Sequence, residues 1–235
     1  MQIVIHRANE RGVGDHGWLH TRFSFSFADW YDPSKMGFGV LRVINDDVID
    51  ARSGFGSHPH ANMEIITIVR SGAVSHQDSI GNSYVVPAGD IQVMSAGSGV
   101  VHAEFNHEDK PLELFQIWIE PNIRNIVPRY AQKTFGLKGK PQQVELLVSG
   151  DGDAHAIQIN QNAYISRVRI DSGACVEYVP RDPNHGVYAF LVAGSIRIDG
   201  DVLEARDALG VVGTSKIRME GKAESEVLLF EVPMK

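Results

Sequence analysis

Apolar residues in this chain fall in short runs, or alternate with polar ones, and Gly, Asn, Asp or Pro separates one run from the next. In RFSFSF, residues 22–27, Phe23, Phe25 and Phe27 alternate with Ser24 and Ser26, the period of two that belongs to a strand. VLRVI, EIITIVRSGAVSHQDS, SYVVPAGDIQVM and ELFQIWIE continue in that style, and DSIGNS reads as a hairpin turn with Gly81 and Asn82 where positive φ is cheap. AIQIN, YISRVRI, VYAFLVAGSIRIDG, ALGVV and EVLLFEVP repeat the pattern further on. Helical periodicity is scarce; NIVPRYAQKTFG, residues 125–136, is the one place where a turn or two of helix is expected. Many short strands with regular turn signals predict an all-β sandwich or barrel.

The pattern also repeats. ITIVRSGAV resembles YAFLVAGSI, each closing on a Gly turn at Gly72 or Gly194; PAGDIQVMSAG parallels EARDALGVVGT; LELFQIWIEP parallels SEVLLFEVP, ending at Pro121 and Pro233. Two copies of one barrel, joined through roughly residues 122–150, is the economical reading. Counting the same steps from the paired glycines sets Pro180 and Asp182 where the first copy has His58 and His60. Counting from Asp90 and Asp207 sets Met219 and Gly221 opposite His102 and Glu104. If one copy carries chemistry, it is the first.

That chemistry is metal binding. His58 and His60, two apart, point the same way on a strand, and so do His102 and Glu104 in SGVVHAEFN. Roughly 0.4 His-x-His pairs are expected by chance in a chain with this histidine content, so the first pair alone decides little. Its coincidence with His-x-Glu across a glycine turn, a hairpin and the PAGD turn does. Imidazole and carboxylate donors suit iron, manganese, nickel, copper or zinc. His76, Asp78 and Ser79 are read as braces of the hairpin. Phe23, Phe25, Phe27, Trp30 and Trp118 are read as core, although they could line an aromatic pocket.

These residues resemble a known family. HPHANME is similar to the first cupin motif, with His58, His60, Glu64 and Gly72 in place, and PAGDIQVMSAGSGVVHAEFN to the second, through Gly99, His102 and Asn106. Gly97 stands where that motif usually has proline. TRFSFSFADWYDP, LRVINDDVI, HQDSIGN, MSAGSGVVHAEFN and QIWIEP narrow the resemblance to the pirin family of bicupins, over most of the chain and most densely through residue 121. It implies two cupin barrels: residues 1–130 with the metal site, a connecting segment at 131–150, and a second barrel at 151–235 without metal ligands.

Ordinary cupins use the first-motif glutamate, here Glu64, as a ligand, whereas pirin-like proteins use the glutamate of His-x-Glu, here Glu104. An uninterrupted strand carries Glu64 about 13 Å past His60, but Glu104 lies only about 7 Å along from His102. The expected ligands are therefore His58, His60, His102 and Glu104, with Glu64 nearby orienting a histidine.

By this resemblance the ion is a divalent cation, Fe(II) first, with Cu, Ni, Mn or Zn as alternatives. The activity is quercetin 2,3-dioxygenase-like cleavage of a flavonol by dioxygen, with Glu104 as the base that takes the 3-hydroxyl proton. Animal relatives imply an alternative, a metal-bound, redox-responsive module that regulates transcription through a protein partner without turnover. A third reading has the ion merely brace the barrel.

Composition restricts the field. With 22 Lys+Arg against 29 Asp+Glu the formal charge is −7, and no basic stripe is visible, so direct nucleic-acid binding is not expected. Cys175 is the single cysteine, which allows no intrachain disulfide. No signal-peptide pattern and no apolar run of membrane-spanning length occurs, so a cytoplasmic protein is expected. The two barrels should share an apolar face, and a monomer is expected.

Overall fold

A computed structural model describes residues 1–235 as two β-barrels with one short 3₁₀ turn at Ala8–Glu10. Each barrel pairs a seven-stranded sheet with a four-stranded one. In the amino-terminal barrel the large sheet runs Arg129–Thr134, Asp90–Ser95, Glu64–Ser71, Leu112–Ile119, Leu41–Ile49, Leu19–Phe23, Gly12–Asp15. Its small sheet runs Gly54–His60, Val100–Phe105, Ala73–Asp78, Ser83–Pro87. The carboxy-terminal barrel repeats this order, with Ala208–Val212, His185–Ala193, Ser225–Pro233 and Tyr164–Ile170 central in its large sheet, and Cys175–Tyr178, Ile217–Gly221, Ser195–Ile198 and Asp201–Glu204 in its small one. No helix is long and apolar enough to cross a membrane.

Two strands sit apart from the drawn halves. Gln2–His6 pairs antiparallel with Ala208–Val212, closing the carboxy-terminal sheet, while Arg129–Thr134 closes the amino-terminal one against Asp90–Ser95. The boundary expected at residue 130 thus falls inside a strand. The helical turn expected over residues 125–136 is this same strand. It is an edge strand, half-buried on both faces, so the alternation that marks a strand is missing from its sequence. RFSFSF also departs from expectation: the strand stops at Phe23, and Ser26 ties into a loop through Lys35 and Asp32. Phe25 turns to the barrel–barrel core, 5.4 Å from the Tyr188 ring.

The two large sheets pack face to face. Ile66, Ile68, Ile91, Val93, Phe115 and Ile117 from the first meet Ile165, Tyr188, Phe190, Leu228 and Phe230 from the second in one 24-residue cluster. Ion pairs stitch its rim, among them Asp46 to Arg206 at 2.7 Å and Arg70 to Glu226 at 2.7 Å. The inner faces differ. The carboxy-terminal barrel is filled by 16 buried apolar residues, including Met219, Ile198 and Leu209. The amino-terminal barrel has a seven-residue apolar cluster around Val69 and Leu114 and a four-residue one around Ile65 and Met94. Between them, in register, lie Gln92, Thr67, Gln116 and Asn45. A barrel interior that interrupts its own apolar packing with a polar belt is built to hold something.

Gly97 has φ +51, and a Cβ there would lie 2.2 Å from the Ile126 carbonyl oxygen. Proline, the usual residue of the motif, cannot adopt that φ. Gly97→Pro is therefore expected to destabilise the fold by about 3 kcal/mol or more in denaturant unfolding; unchanged stability would show that the loop is not held in this conformation.

Candidate metal centre

Two adjacent strands of the small sheet bring His58, His60 and His102 together. His102 stands directly opposite His58, and Val100 opposite His60. Alternation sends Ser57 and Pro59 outward and both histidines inward. A bulge between the His102 and Glu104 pairings lets the strand Gly54–His60 spend one extra residue. Within that bulge the Gly56 carbonyl accepts from His58 Nδ1 at 2.8 Å. A carbonyl only accepts, so the proton sits on Nδ1 and the Nε2 lone pair is left for a ligand.

The three rings cluster tightly, with centroids 4.4 Å apart for His58–His102, 4.8 Å for His58–His60 and 5.0 Å for His60–His102. Their donor atoms all lie within 4.8 Å of one another. Glu104 joins through His102: a second, overlapping group comprises His76, His102 and Glu104 at the same spacing. His102 is 3% exposed, yet neither ring nitrogen has a hydrogen-bond partner. Burial, with His58 and His60 adding, drives its pKa down to about 3, and burial beside His58 drives that of His60 down to about 4. Buried, neutral imidazoles with unpaired nitrogens fit a cation.

Glu104, 2% exposed, is held by three side-chain hydrogen bonds. Gln92 Nε2 donates to its Oε1 and Gln116 Nε2 to its Oε2, both at 2.5 Å, with Thr67 Oγ1 at 3.4 Å. Tyr130 OH in turn donates to Gln92 Oε1 at 3.1 Å, which orients that amide. Burial still outweighs these bonds and pushes the Glu104 carboxyl up to about 7, with Asp47 adding repulsion.

Glu64 does not meet the role expected of it. Its oxygens accept from Ser95 Oγ at 2.6 Å and Asn160 Nδ2 at 3.1 Å, so it ties the first barrel to the segment entering the second and touches no histidine. Alternation explains this: Glu64 precedes Ile65, whose side chain faces inward, so its own side chain leaves on the opposite face. Glu64→Ala is expected to lower unfolding stability by about 1–3 kcal/mol with metal content unchanged; loss of metal with stability intact would restore the histidine-orienting role. The hairpin brace is as read. Asp78 accepts from the Ile80 and Asn82 amides and from His76 Nε2, and Ser79 Oγ from the Val101 amide.

Beside the histidines lies a cavity of about 380 Å³. Trp18, Phe23, Phe27, Phe55, Ile65 and Trp118 form its apolar wall, and Thr21, Asn45, Asp47 and Gln116 its polar floor. Phe23, Phe27 and Trp118, expected in the core, therefore line the cavity, and Phe25 alone of that alternating set is fully buried between barrels. Gln92, Thr67, Gln116, Asn45 and Asp47 were not singled out from the sequence. The available signal was a polar residue at an inward position of an otherwise apolar strand, as in ELFQIWI.

Comparison with known proteins agrees with this geometry. Residues 5–119 match the Pirin family, and residues 146–232 match the quercetinase C-terminal cupin domain. The chain belongs to the pirin family. A pirin-like protein of Caulobacter vibrioides is 41% identical over 94% of this chain and 95% of that protein. Quercetin 2,3-dioxygenase of Escherichia coli K12 is 42% identical over 98% of this chain and 99% of its own. Among solved structures, the bacterial pirin YhhW from Escherichia coli in complex with nickel(II) superposes with TM-score 0.93 at 41% identity, covering 100% of both chains. Both groups of three candidate metal donors lie in the first of the two barrels.

Proposed function

We propose that this pirin is a metal-dependent dioxygenase that opens flavonols such as quercetin, with His58, His60, His102 and Glu104 holding a divalent cation, Fe(II) foremost. The observation that carries the reading is His102: a fully buried imidazole with both nitrogens unpaired, flanked by two more imidazoles, at the end of an aromatic-walled cavity. A cation bound there would supply Lewis acidity toward a chelating hydroxyl and carbonyl and an electron path to dioxygen. The chain's own groups do the rest. Glu104 lines the cavity beside the histidines and is the carboxylate that takes the 3-hydroxyl proton. Gln92 and Gln116 hold both its oxygens in place while it does so. Trp118, 5.0 Å from the His60 ring, and Phe27, 5.2 Å from Trp118, offer edges and faces to a flat polycyclic ligand and exclude water. Both atoms of dioxygen enter the product, the heterocycle opens and one ring carbon leaves as carbon monoxide.

The test is oxygen uptake and carbon monoxide release with quercetin, for protein loaded with each candidate metal in turn and for chelated protein. Turnover is expected only with metal. Full activity in a metal-free preparation would remove the basis for the reading.

A further inference from the structure

The belt that supports Glu104 continues past it. Asn45 stands directly opposite Gln116, and two residues along the same strand Asp47 stands opposite Thr21. Directly opposed side chains on one face of a sheet have Cβ atoms about 4.5–5.5 Å apart, so the four make one contiguous patch. All four line the cavity and all are more than nine-tenths buried: Gln116 8%, Asn45 5%, Asp47 3% and Thr21 3% exposed. Each has a polar atom without a partner: Gln116 Oε1, Asn45 Oδ1, Asp47 Oδ1 and Thr21 Oγ1.

Four adjacent unpaired polar atoms in the wall of one cavity are unfavourable unless a ligand satisfies them. Their chemistry is one-sided. Gln116 cannot flip its amide without giving up its 2.5 Å bond to Glu104, so its oxygen is the atom left free. With Asn45 and Asp47 the patch presents three acceptor oxygens and one hydroxyl, and no Lys or Arg lines the cavity. Such a surface calls for hydrogen-bond donors on an uncharged ligand. Burial lifts the Asp47 carboxyl to about 7, more than the neighbouring Thr21 hydroxyl and the Arg11 charge offset. The rings of Phe23 and Phe27, 5.6 Å apart, stand beside the patch, and Phe23 is opposite Asn45 in register.

We propose that Thr21, Asn45, Asp47 and Gln116 form a hydroxyl-binding subsite that receives the pendant-ring hydroxyls of a polyphenol while its chelating oxygens face the histidines. The assignment rests on the flavonol reading of the cavity and extends it: these residues select dihydroxylated rings over bare ones. A site built to hydrogen-bond a hydroxyl leaves its own groups unpaired when the analogue lacks it, and so discriminates strongly.

The experiment compares quercetin, with two pendant-ring hydroxyls, and galangin, with none. It measures kcat/KM on metal-loaded protein and dissociation constants by quenching of tryptophan fluorescence from Trp18 and Trp118. Quercetin is expected to be favoured at least about tenfold in both readouts. In Asn45→Leu, and independently in the near-isosteric Thr21→Val, that ratio should fall toward one while the melting temperature stays level or rises, because an unpaired buried oxygen is replaced by carbon. A merely structural role predicts lower melting temperatures. A wild-type ratio near one, a ratio that survives both substitutions, or a clear loss of melting temperature in both would overturn the subsite. Tighter quercetin binding without turnover would keep the subsite and refute the dioxygenase. Failure of both flavonols to bind would refute both.

Discussion

Replacing His102 with alanine is expected to empty the metal centre and abolish flavonol turnover together. Of the proposed ligands it is the one shared by both donor groups, opposite His58 in register and within the same 4.8 Å spacing as His60, His76 and Glu104. Removing a single supporting partner of a metal ligand typically costs 10–100-fold in affinity or activity, so loss of a shared ligand should exceed about a hundredfold. The fold should survive, since neither ring nitrogen of His102 bonds to the protein and the carboxy-terminal barrel carries Met219 at the corresponding place. Metal analysis of the purified variant, with oxygen uptake and circular dichroism, is the measurement. One equivalent of bound metal in a folded His102→Ala protein would disprove the centre as drawn.

Glu104→Gln is the second large effect, and it separates charge from shape. The amide keeps the size of the side chain but can neither neutralise a cation nor accept the substrate proton, and kcat is expected to fall by about 10²–10⁴-fold. The pH dependence of metal uptake carries a sign that can be worked out in advance. A cation takes the ionised carboxylate, and in the metal-free protein Glu104 is held at about 7 by burial. Below pH 7 each ion must displace its proton, so affinity should fall by about tenfold per pH unit on acidification, and the curve should level above 7. His60 at about 4 and His102 at about 3 are already neutral across that window and add no slope until the solution is far more acidic. Chelator competition between pH 5.5 and 8.5 measures the slope, and Glu104→Gln should flatten it. A wild-type protein with no slope would mean that Glu104 is ionised before metal arrives, or is not a ligand.

Local rules carried much of this protein. The alternation of His58 with His60 and of His102 with Glu104, read as strand periodicity, set all four side chains inward, because a strand leaves each residue only two faces. The repeated glycine and proline landmarks anticipated a second barrel with the same strand order, and the apolar Met219 where the first has histidine. Glu64 is the position where motif and strand disagree. Its motif position suggests a partner for the histidines, but parity turns it to Ser95 and Asn160. The edge strand Arg129–Thr134 looked helical because both its faces are half-buried, which erases the period.

By itself the sequence determined the all-β class, the duplication and the family, all properties of residue order and short-range period. Only the tertiary structure decided which polar residues meet behind Glu104, that Gln2–His6 closes the sheet of the opposite barrel, and that Phe23 and Phe27 face a cavity while Phe25 does not. The physical reason is that cross-strand neighbours far apart in the chain are set by pairing register and by which sheet packs on which. A glutamine on one strand and an asparagine on another reveal nothing of each other until the sheet aligns them.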